Sequence, residues 1–100
     1  MVKKSLGLEL SNMSDDARKK FKIKDGVKGV VISGVDANSV AAEKRLAPGD
    51  VIVEVQSEPV DTVDAMQARL DQLKKEGKKL VMLFVTKADG NNHFVVLSLQ

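Results

Sequence analysis

The sequence predicts an α+β domain, mostly β, in which a small curled sheet surrounds one core and two or three helices close its openings. Three observations carry that prediction. Short apolar or β-branched runs at residues 6–10, 30–34, 51–55, 80–86 and 94–99 have the length and composition of strands. The segments between most of them open on capping residues and stop at glycine or proline, as helices do. The chain is 100 residues long and 43% hydrophobic, which suits one compact domain and not a disordered chain.

Each element has its own justification. Leu6-Gly7-Leu8-Glu9-Leu10 alternates apolar with other residues, the pattern of a half-buried strand. Ser14 can cap a short helix over 14–24, with Asp15 and Asp16 where the helix dipole favours negative charge, and Asp25-Gly26 ends it. Val30-Val31-Ile32 reads as a buried strand ending by Gly34. Asp36-Ala37-Asn38-Ser39 is turn and cap chemistry ahead of a helix over 40–46, about two turns long, which Ala47-Pro48-Gly49-Asp50 stops. A strand over 51–55 follows, then a turn around Ser57-Glu58-Pro59. Asp61 or Thr62 caps the longest helix. Val63, Met66, Leu70 and Leu73 follow its period, and Gly77 is a natural residue to follow its last turn. Residues 80–86 and 94–99 form a final antiparallel pair around Ala88-Asp89-Gly90-Asn91-Asn92, where Asp-Gly is the turn signal. Residues 1–4 read as a linker ahead of a domain over 5–100, with Met1 and Val2 as additions that supply a start codon.

The inventory argues against catalysis. Without Cys there is no disulfide frame, thiol nucleophile or thiolate zinc site. One histidine, His93, excludes a two-histidine metal site. A triad would have to use it from a predicted hairpin, where a structural or solvent-facing role already accounts for it. Asp15-Asp16 and Asp61 with Asp64 pair carboxylates, but at predicted helix starts, where capping explains them. Gly26, Gly29 and Gly34 form no phosphate loop, since no Gly-Lys-Ser/Thr follows. No metal or cofactor is expected. The only aromatics are three Phe, too few for a nucleic-acid stacking platform. The net charge is +2, and its main concentration is Arg18, Lys19, Lys20, Lys22, Lys24 and Lys28. That run reads as a solvated helix face and loop, with phosphate or anionic lipid as the alternative partner and no nucleic acid expected. No stretch approaches the ~20 apolar residues of a membrane span, and the start lacks the apolar core of a secretory signal.

Residues 30–55 carry a resemblance. They resemble the central segment of a PDZ domain, whose pattern is a strand, a small-residue helix ending in a G-L-x-x-G-D turn, then an I-x-x-V-N-G strand. Leu46, Gly49, Asp50, Ile52 and Val55 match it. Arg45 stands where Gly is usual, and Gln56-Ser57 where Asn-Gly is usual. The element order is similar to the bacterial, permuted form of the fold, a partly open antiparallel barrel or sandwich of five to six strands with two to three helices. The basic helix at 14–24 and the ending just after the last strand are similar to the second, C-terminal PDZ domain of HtrA/Do-type (DegP/DegQ) serine endoproteases.

The resemblance implies a non-catalytic module of a periplasmic or envelope protease that binds C-terminal or extended segments of polypeptides by β-strand addition and regulates proteolysis. Partners would be the protease domain, a neighbouring PDZ domain and polypeptides with an apolar last residue. The other readings are an oligomerisation scaffold with a covered groove, or a PDZ domain of another envelope protease or secretion protein. Physically, Gly7 lets the backbone of Ser5, Leu6 and Leu8 turn and aim N–H groups into a nest for a carboxylate. A free edge at Leu8, Glu9 and Leu10 would accept an added strand. By resemblance, Leu6, Leu8, Leu10 and Leu70 line the terminal pocket, and Val63, Met66 and Gln67 the rest of the groove. Val63 stands where a His selects a peptide hydroxyl in many animal PDZ domains, so hydroxyl selection is not expected. From periodicity alone, core is the better reading of Leu6, Leu8, Leu10, Met66 and Leu70, and it is the resemblance that turns Leu6, Leu8 and Leu70 toward the groove.

Overall fold

The computed structural model describes residues 2–5, 7–23, 26–87 and 90–98, with residues 2–5 and Val40 described by their backbone. Expectations that fall on Leu6, Lys24, Asp25, Ala88 and Asp89, or on Met1, Leu99 and Gln100, lie outside the described residues. The chain order is β1 (Val2–Ser5), β2 (Leu8–Asn12), α1 (Asp15–Phe21), β3 (Val30–Val35), α2 (Val40–Glu43), β4 (Val51–Val55), β5 (Glu58–Pro59), α3 (Val63–Lys75), β6 (Leu80–Thr86) and β7 (Asn92–Ser98). One open sheet runs β1-β2-β3-β4-β6-β7, and the two-residue β5 pairs beside β4. Every pairing is antiparallel. The molecule is mostly β with three helices, as the sequence predicts.

The alternation within β3 and β4 builds two apolar layers. Val30, Ile32 and Ile52 join the main core with Leu8, Leu10, Val55, Val63, Met66, Leu70, Leu83 and Leu97. Val31 and Val51 point the other way and meet Ile23, Ala17 and Phe21 beneath α1. Burial on both faces explains why this short β-branched run shows no polar alternation.

The helices differ in length from the expectation, for local reasons. α1 stops at Phe21 because Lys22 takes a left-handed conformation (φ 56°), and the N–H groups of Lys22 and Ile23 donate to the Arg18 carbonyl. α2 is a single turn, not the two expected over 40–46. The N–H groups of Lys44 and Arg45 donate to the carbonyls of Ala41 and Ala42, three residues back, which tightens the turn. Arg45 then reverses the chain at φ 64°. α3 begins where its cap was expected: Thr62 Oγ1 accepts from the Ala65 N–H at 3.0 Å.

Two strand features also differ. β3 runs on past Gly34 to Val35, through a bulge that leaves Ser33 without an opposite number on β2. The Ser33 hydroxyl settles there by donating toward the Glu9 carbonyl at 3.1 Å and Glu9 Oε1 at 3.3 Å. Residues 2–5, which precede the first strand in the sequence reading, form a strand of their own.

Candidate functional site

The expected site residues gather on β2 and α3. Leu8 and Leu10 from β2 share one cluster with Val63, Met66 and Leu70 from α3. Glu9 lies on the other face of β2, half-buried and opposite Gly34. Gln67 is half-buried, and its amide donates to Asp71 Oδ1 at 2.9 Å, one helical turn on. Asn12 joins the two walls. Its Oδ1 accepts from the Val63 N–H at 2.7 Å, so the last residue of β2 satisfies a free donor of the first turn of α3. Sequence reasoning did not single out Asn12, because its partner lies 51 positions away.

Gly7 shapes the other end. Its φ of 76° is a conformation that a side chain resists, and a Cβ there would collide with the Cβ of Ser39. Its carbonyl accepts from the Asp36 N–H at 2.8 Å, which fastens the turn to the end of β3. The start of β2 is thus held by β3 and its far end by α3.

Both edges of β2 are in use. β3 pairs along one, from Leu8↔Val35 to Asn12↔Val30. β1 pairs along the other, with Val2↔Ser11, Lys3↔Leu10, Lys4↔Glu9 and Ser5↔Leu8. Ser5 therefore sits in a hairpin across the turn from Leu8. The apolar wall behind is closed to solvent: Met66 is 0% exposed, and Leu8, Val63 and Leu70 are each 1% exposed.

His93 is exposed on β7, opposite Val85. Among the described residues no group of three or more His, Asp or Glu is placed to hold a metal ion. No described helix is long and apolar enough to cross a membrane.

Compared with profiles of known sequences, the chain matches that of the PDZ domain over residues 2–85. The chain belongs to the PDZ family. It resembles curated proteins named as probable periplasmic DegP-like serine endoproteases. The one from Bartonella henselae is 41% identical over 73 residues, which is 73% of this chain and 14% of that protein. The one from Chlamydia pneumoniae is 29% identical over 84 residues, 84% of this chain and 17% of that protein. The chain thus spans about a sixth of the length of these relatives or less. The given residues match a PDZ domain and cover no protease catalytic domain. Among solved structures, the HtrA3 PDZ domain bound to a phage-derived ligand, FGRWV, superposes with a TM-score of 0.71 at 16% identity, over 98% of this chain and 86% of that one. The HtrA-type protease AlgW with a decapeptide superposes with a TM-score of 0.73 at 18% identity, over 97% of this chain and 29% of that one.

Proposed function

We propose that this PDZ domain binds polypeptide segments ending in an apolar residue, by adding them as a strand to β2, within a periplasmic HtrA/Do-type serine endoprotease whose proteolysis it regulates. The observation that carries this reading is the convergence of Leu8 and Leu10 with Val63, Met66 and Leu70, tied at one end by Asn12 to the start of α3. A strand backbone beside an aliphatic helix face is what strand addition uses: main-chain bonds give affinity and the pocket selects the side chain. Met66 supplies an adaptable wall. Ser5, Leu6 and Gly7 are proposed to receive the terminal carboxylate, and Glu9 and Gln67 to flank the peptide. The two solved PDZ neighbours hold peptides, and the DegP-like relatives are named as periplasmic proteases, which supports partner class and address.

The test is a titration with a fluorescein-labelled decapeptide ending in valine, read by anisotropy, against the same peptide with an amidated C-terminus. The free carboxylate should bind roughly tenfold more tightly, about 1.4 kcal/mol. Equal affinities would remove the carboxylate nest, and no binding by any form of the chain would remove the peptide-binding reading.

A further inference from the structure

We propose that Val2–Ser5 is an internal occupant of the peptide edge, so that this domain is closed by its own chain and opens only when β1 leaves β2. The inference rests on the peptide-binding reading above and adds its regulation. A strand has two hydrogen-bonding edges. β3 takes one edge of β2 over its whole length and β1 takes the other from Ser11 to Leu8. An external strand has no place on β2 while β1 is there. β1 also runs antiparallel to β2, with its C-terminal end at the Gly7 turn. That is the direction a peptide must take to bring its carboxylate to the Gly7 turn.

The competition favours the closed form for a physical reason. β1 is tied to β2 by a two-residue connection, so it re-pairs as an intramolecular partner at an effective concentration in the millimolar range or above. A free peptide at micromolar concentration competes poorly with that. Its apparent affinity falls by the fraction of molecules in which β1 is released. Tension or a new contact on the segment leading into β1 would release it and admit substrate. The groove is then gated from the N-terminal side.

The experiment uses the absence of native cysteine. The double variant Val2→Cys with Ser11→Cys places the only two thiols at directly opposite positions of β1 and β2. Oxidised glutathione should close a disulfide within the monomer. The oxidised form should lose binding of the labelled valine-ending peptide, and reduction should restore it. In parallel, removing residues 2–4, which keeps Ser5 of the proposed nest and frees β2 from Glu9 to Ser11, should tighten binding by at least about tenfold, with circular dichroism reporting that both proteins are folded. If the thiols fail to pair in the folded chain, β1 does not occupy the edge and the proposal fails. If the oxidised, reduced and shortened forms all bind alike, the closure fails while the peptide-binding reading stands. If the disulfide forms but the shortened chain binds no peptide, the peptide-binding reading fails and the gate falls with it.

Discussion

At the scale of single residues, the two departures from the family pattern turn out to be substitutions of side chain and not of backbone. Arg45 stands where Gly is usual and keeps a positive φ of 64°, while Gln56 and Ser57 stand for Asn-Gly and keep φ of 51° and 69°. Positive φ at both turn positions suits the tight β4–β5 hairpin. A left-handed conformation costs a non-glycine residue about 1–2 kcal/mol, and glycine returns up to about 1 kcal/mol of that through its looser unfolded chain. Arg45→Gly should therefore raise stability by about 0.5–1 kcal/mol in urea unfolding, whereas Lys44→Gly, one residue earlier, should lower it. Asp50 is a contrasting case, since its side chain makes contacts that a substitution would remove. It is 4% exposed, accepts from the Ala47 N–H at 3.0 Å and pairs with Lys87 Nζ at 2.7 Å. Asp50→Ala should cost about 2 kcal/mol because the charge-assisted bonds go together. Lys87→Met should cost at least as much, since it leaves the Asp50 carboxylate buried without its counter-charge.

At the scale of elements, α3 was legible in full because its period, cap and stop agree over 13 residues. β1 was not legible, because Val-Lys-Lys-Ser has no alternation and becomes a strand only by pairing with β2. α2 was overread, because alanines favour helix while the left-handed Arg45 that ends it looks like an ordinary helix former. The candidate site was half legible. The packing of Leu8 and Leu10 with Val63, Met66 and Leu70 followed from their apolar spacing, but the β1–β2 pairing and the Asn12 tie join positions that no local pattern encodes. That tie makes a specific prediction. Thr62 caps α3 from the position just before the helix and Asn12 caps it from β2, so each serves a different N–H. Thr62→Ala and Asn12→Ala should each cost about 1 kcal/mol. Hydrogen exchange should show the first turn of α3 opening in both, with the end of β2 loosened only by Asn12→Ala.

At the scale of the molecule, the sheet separates one large core from a smaller layer under α1, and the two should answer differently to truncation. Ile52 is fully buried in the main cluster, among residues drawn from β2, β3, α3, β6 and β7. Ile52→Ala leaves a cavity among elements that hold each other, and should cost about 2–5 kcal/mol and shift one cooperative unfolding transition as a whole. Phe21 is half-buried at the end of α1, and packs with Ile23, Val31 and Val51. α1 buries no residue of its own fully, and it is held by the Ser14 cap, the Arg18 bond to the Val27 carbonyl and this apolar layer. Phe21→Ala should therefore act mainly on α1. Its amides should exchange faster while those of β4 and β6 keep their protection, because a small satellite layer opens below the free energy of global unfolding. Equal loss of protection in β4 and β6 would mean instead that the two layers fold as one unit, and that the basic helix is as much part of the scaffold as the strands it covers.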